Sequence, residues 1–153
     1  MADHVLIDLR LLPRWELVGE LRRLVSQSLE KLSLDADDAY GASLAAHELL
    51  ENAVKYGQGE VRVTVHLDRR EKKLRGVSVE NRTTRSHAAR LKRALKALSS
   101  APDRMAAYVA LMGRGPGGLG LARIAAEAEM QVTCTARANR VAVIARPQGA
   151  AHA

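Results

Sequence analysis

Glu48, Asn52 and Lys55 stand at i, i+4 and i+7 in the run Ala45-Ala46-His47-Glu48-Leu49-Leu50-Glu51-Asn52-Ala53-Val54-Lys55-Tyr56-Gly57. On a helix, that spacing points all three the same way. The row holds a carboxylate that can receive a proton, a carboxamide that offers a hard oxygen, and an ammonium. The same row is also what an ordinary solvated helix face presents. Further on, Gly113-Arg114-Gly115-Pro116-Gly117-Gly118-Leu119-Gly120 places five glycines in eight residues ahead of a helical pattern. Accessible backbone N–H groups at the positive end of a helix dipole make a ready phosphate site, although glycines also serve as plain hinges. Leu119-Gly120-Leu121 stands where a P-loop needs Gly-Lys-Ser/Thr. The segment before the glycines reads as helical, which argues against a dinucleotide fingerprint, where a strand leads into them.

Elements that would position these residues are legible in the periodicity. Residues 4–12 read as a first strand, and Pro13 suits a helix start. Apolar positions 17, 18, 21, 24, 25, 29 and 32 predict a helix from Trp15 to Leu32. Asp35 and Asp38 resemble a capping pair for a second helix, 36–56, whose apolar stripe includes 45, 46, 49, 50, 53 and 54, and Gly57 stops it. Gln58-Gly59 reads as a turn. Glu60 to Leu67 alternates cleanly and Leu74 to Asn81 answers it, so an antiparallel hairpin is expected. Helical patterns cover 84–100, 104–112 and the residues after the glycine run. A closing hairpin, 131–137 with 140–146, turns at Ala138-Asn139.

With 153 residues, 47% apolar and 27% charged, the chain has the balance of a folded soluble domain. One domain over 1–147 is expected, with 148–153 as a flexible tail. Phe is absent and aromatics make up 3%, so aliphatic residues must build the core, and a stacking platform for single-stranded nucleic acid is not supported. No secretory signal and no apolar run of about 20 residues is visible, which points to the cytoplasm and away from a membrane. Cys134 is the only cysteine, excluding an internal disulfide and a Cys-rich zinc site. Eleven Lys/Arg against two acids between Arg69 and Lys96 concentrate the basic charge, while the whole chain carries +7. Such a region suits phosphate or an acidic protein face; nucleic-acid binding would rest on this charge alone.

The order of these motifs resembles the histidine-kinase-like ATPase fold, the Bergerat or GHKL superfamily. It runs from Glu48-x-x-x-Asn52-Ala53-x-Lys55-Tyr56 on a helix through a strand pair and a variable segment to Gly117-Gly118-Leu119-Gly120-Leu121 opening a helix, then a closing hairpin. Chain size makes it most similar to the anti-sigma-factor serine kinase branch. The resemblance implies an α+β, two-layer α/β sandwich: a mixed, mostly antiparallel sheet of about five strands covered on one face by about three helices. It implies ATP and Mg²⁺ as cofactors. Asn52 would hold the metal, Glu48 would be the catalytic base, and Lys55 and Tyr56 would lie near the phosphates and ribose. Gly115, Gly117, Gly118, Leu119 and Gly120 would cradle the phosphates, and residues 82–116 would form the lid. The family's Asp-x-Gly-x-Gly box is replaced by Val79-Glu80-Asn81-Arg82-Thr83-Thr84. Asn81 falls at the adenine-reading Asp, and without glycines the backbone there passes less close to a base.

Two functions follow from the resemblance. One is an ATP–Mg-binding regulator that phosphorylates or sequesters a signalling partner such as a STAS-domain antagonist, a sigma factor or a response regulator, with a homodimer as a further expectation. The other is a catalytically inactive module of this fold that works by protein–protein interaction alone. The lid cations Arg85, Arg90, Lys92, Arg93 and Lys96 would close on phosphates, meet an acidic partner or solvate a helix face.

Overall fold

The computed structural model describes residues 3–112 and 118–149. Its order is β1 (Asp3–Leu11), α1 (Trp15–Lys31), α2 (Ala36–Tyr56), β2 (Gln58–Asp68), β3 (Lys73–Arg82), α3 (Arg85–Ser100), α4 (Arg104–Met112), α5 (Gly118–Glu127), β4 (Met130–Arg137) and β5 (Arg140–Pro147). The five strands form one sheet in the order β1-β2-β3-β5-β4, and all four pairings are antiparallel. Val61, Val63, Val65 and Leu67 turn to the helices while Arg62 stays outside, as the period of two requires. Under the sheet, Val25 and Leu29 of α1 meet Leu49 and Leu50 of α2 and Leu121 and Ile124 of α5 in one core cluster.

Three local expectations need adjusting. Asp35 caps α2 by accepting from the Asp37 N–H at 2.8 Å, but Asp38 does not reach back to complete a capping box. Its carboxylate accepts instead from the Leu74 N–H at 3.1 Å, tethering the start of α2 to β3. Gly57 ends α2 in extended rather than left-handed backbone. The glycine is required by close approach: a Cβ there would overlap the Ala53 carbonyl and come within 2.9 Å of Asn81 Nδ2. Gln58 also proves to be strand rather than turn, because β2 begins there and pairs with Arg82.

The turns are set by side chains and backbone hand. Buried Asp68 accepts from the Arg70 and Glu71 N–H groups at 2.9 and 3.0 Å and from the Arg75 guanidinium at 2.6 Å. Those donors, the Glu71 N–H foremost, hold its carboxyl below the ordinary value. The closing hairpin turns at Ala138, whose φ of 55° is left-handed and disfavoured for a residue with a Cβ. Ala138→Gly is therefore expected to stabilise the fold by about 0.5 kcal/mol net of chain entropy, raising Tm by about 1–2 °C. A thermal melt of the variant checks this, and a lower Tm would contradict it.

Candidate functional site

The candidate residues converge where the C-terminal half of α2 meets the start of α5 and the end of β3. Glu48 is not on a wet face. Its side chain is only 6% exposed, and Oε1 accepts from the Arg123 guanidinium at 2.6 Å. Helix geometry explains this: α5 packs across α2, so a residue facing away from the sheet meets another helix rather than water. Gly120 permits the crossing, because a Cβ on it would lie 2.6 Å from Glu48 Oε2. Burial raises the Glu48 carboxyl above its ordinary value, against the lowering pull of Arg123. Arg123 continues to Glu127 at 3.5 Å, and Glu127 accepts from Tyr108 at 3.2 Å and Tyr40 at 3.5 Å. A polar network thus joins α2, α4 and α5.

Arg123 is the functional residue that sequence reasoning missed. A signal was present: it is the only charge in α5 before Glu127, set in Leu121-Ala122-Arg123-Ile124. A lone cation in an apolar helical run needs a buried partner, and Glu48 is the one it finds.

One helical turn on, Asn52 is half-buried and lines a cavity of about 20 Å³ with Asn81 and His87, over Leu49, Val79, Leu91 and Val143. That volume holds about one water. Next to it, Tyr56 of α2 stacks on His87 of α3, with centroids 4.2 Å apart and planes 18° apart. Thr83 ties the end of β3 to this stack by donating to the Tyr56 carbonyl at 3.1 Å. Burial, followed by the nearby Arg90 charge, lowers the His87 pKa from its ordinary value, and its Nδ1 is buried with no hydrogen-bond partner among the described residues. Asn81 donates through Nδ2 to the Arg82 carbonyl at 2.8 Å.

Lys55 is engaged on the other side. Its ammonium lies 3.4 Å from Glu51 and 5.8 Å from the centre of the Trp15 ring. His47 Nε2 approaches the second Glu51 oxygen at 3.7 Å. Ligand atoms of His47, Glu48 and Glu51 fall within 4.8 Å of one another, but Arg123 and Lys55 already neutralise the two carboxylates. Of the glycine run, Gly118 packs against Leu111, Leu119 is exposed and Gly120 abuts Glu48, whereas Gly115 and Gly117 lie outside the described residues. Residues 150–153 of the tail also lie outside them.

Glu48 and Asn52 thus stand in one row on α2, with α5 beginning at Gly118 beside it and an antiparallel sheet on its other side. Residues 11–146 match the model of the histidine kinase-like ATPase domain, and the chain belongs to that family. No curated protein matches the sequence. Among solved structures, a chain in the crystal structure of the SiaB–SiaC complex from Pseudomonas aeruginosa is similar. It has a TM-score of 0.66 at 19% identity, over 92% of this chain and 88% of that one. At that identity the likeness establishes the shared fold. Membership in a histidine kinase-like ATPase family implies nucleotide binding at the coarse level. Among the described residues, no helix is long and apolar enough to cross a membrane.

ATP and Mg²⁺ fit the two ends of the site differently. At the phosphate end, Asn52 supplies a hard oxygen and α5 opens at Gly118, while the bare sides of Gly118 and Gly120 are taken up by Leu111 and Glu48. At Asn81, where the resemblance would put the base, the cavity of about 20 Å³ is far too small for adenine. Adenine would enter there only with a shift of the elements lining it, α3 among them.

Proposed function

We propose that this protein is an ATP–Mg-responsive regulator that acts by sequestering a signalling partner rather than by phosphorylating it. The observation that carries this reading is the Glu48–Arg123 pair. A carboxylate that is 6% exposed and held by a guanidinium at 2.6 Å is not presented to an incoming hydroxyl. The same residue at the same spacing would be the base of a kinase, so phosphoryl transfer is the second reading and requires Arg123 to release it. ATP, when bound, would supply the phosphates that hold a metal. Asn52 would be its ligand from this chain, and the backbone of Gly118–Gly120 would orient the phosphates. Displacement of α3 on nucleotide entry would change the lid surface offered to a partner. The assembly of SiaB with SiaC shows a related fold in a two-protein complex and supports partner binding here. A STAS-type domain, a sigma factor or a response regulator is the partner class this reading favours, in the cytoplasm.

Calorimetric titration with ATP in the presence of Mg²⁺ tests the reading. Binding is expected, and Asn52→Ala should weaken it about tenfold with Mg²⁺ but little with EDTA, since only a metal-mediated contact is lost. No heat at millimolar nucleotide would leave a pure interaction module. Transfer of label to a bound partner, abolished by Glu48→Gln, would favour the kinase reading.

A further inference from the structure

We propose that the free edge of β4, together with the basic face of α3, is a docking groove for an extended segment of a partner protein whose side chains on the helix side, every second residue, are in turn aliphatic and acidic. The groove has a volume of about 720 Å³, and five consecutive residues line it: Met130, Gln131, Val132, Thr133 and Cys134. Successive strand residues face opposite sides of a sheet, so a groove touched by all five runs along the strand's hydrogen-bonding edge. β4 is last in the sheet, and its pairing with β5 leaves that edge without a strand.

The two edges of the sheet are built differently. β1, at the other edge, carries a register shift between Val5 and Ile7, and Asp8 and Arg10 lie along it. Bulges and charges are the usual means of keeping an edge from pairing. From Met130 to Ala136, β4 has neither: its register with β5 is regular and no residue is charged or proline. An unguarded edge lying beside a groove is the arrangement that accepts an added strand.

Side chains specify the occupant. Leu95, Met130 and Val132 give the groove an apolar floor, and among the described residues Lys92 and Lys96 are the only charges lining it. Lys92 and Cys134 line the same groove, which sets that cation along the edge strand. Helix α3 carries five Lys/Arg and no acid. Met130, Val132 and Cys134 share the helix-covered face of β4, and Leu95, Lys92 and Lys96 of α3 lie on that side. Every second side chain of an extended guest therefore meets them, aliphatic ones on the floor and acidic ones at the lysines. A second copy of this chain fits poorly, because pairing β4 with β4 would bring two sets of Lys92 and Lys96 together.

The probe is a fluorescent capped octapeptide in which every second residue is in turn valine and glutamate and the rest are threonine, with its valine–lysine counterpart as control. Anisotropy is expected to show saturable binding of the acidic peptide only. The Lys92→Glu/Lys96→Glu double variant, altered at exposed helix positions, should weaken it at least tenfold and instead gain affinity for the basic peptide. Amide NMR shifts on binding should centre on residues 130–134, and Asn52→Ala should leave the affinity unchanged, separating this groove from the nucleotide site. Four outcomes would each overturn the proposal: no binding, equal binding of both peptides, shifts centred elsewhere, or self-association of the chain through β4.

Discussion

Arg123→Met is expected to destabilise the fold by about 1–3 kcal/mol at neutral pH, and by much less near pH 4. The upper range for breaking a buried pair is about 3–5 kcal/mol, but the Arg123 side chain is 38% exposed, so water already screens its end of the contact. What remains is the Glu48 carboxylate, 6% exposed and without its counter-charge. Burial already raises its pKa, and removing Arg123 takes away the first of the opposing causes. The sign follows from proton binding. Below the unfolded pKa of about 4.3 the group is protonated in both states and the substitution costs only packing. As pH rises from there toward the folded value, the unfolded chain ionises first and the variant loses stability. Glu48→Gln in the Arg123→Met background should restore most of the loss at pH 7, since no charge is left buried. Urea denaturation of the four proteins at the two pH values measures this. A cost that is the same at both, with additive single changes, would mean that the pair is not what couples α2 to α5.

His87→Ala is expected to tighten Mg–ATP binding about five- to tenfold, on the reading that nucleotide enters where His87 now stacks on Tyr56. An aromatic stack of this kind contributes about 0.5–1.5 kcal/mol, and any stabilisation of the closed arrangement is subtracted from apparent affinity. Leu91, Ala94 and Leu95 still anchor α3, so the variant should remain folded. Acid should act in the same direction in the wild-type chain. The folded pKa of His87 is lowered by burial and by Arg90, so the closed state is fully favoured above the ordinary value of about 6.5 and loses stability as pH falls below it. The advantage of the alanine variant should therefore shrink at about pH 5.5, where protonation has already weakened the wild-type stack. Titrations of both proteins at the two pH values decide it. Equal affinities at neutral pH would show that closing the cavity costs the nucleotide nothing.

Helix and strand positions were legible because each element buries one face against a single neighbouring layer. The alternation from Val61 to Leu67 and the stripe along α2 are one-dimensional records of that burial. The family was legible for a similar reason: Glu48, Asn52 and the glycines keep fixed spacings within continuous segments. What stood at one end of a long-range contact was not legible. Glu48 and Arg123 are 75 residues apart, and Tyr56 and His87 belong to different helices. Periodicity gave Glu48 a polar face, and only the crossing of α5 at Gly120 turned that face into an interior. The same local residues that spell a base and a metal ligand are thus compatible with an open or a sealed site. Sequence determined the fold, the family and the chemistry available in the row of Glu48 and Asn52. Packing of α3 and α5 on α2 decided that the carboxylate is buried and paired and that the base pocket is closed, because burial and partner choice depend on distances between segments that no local spacing encodes.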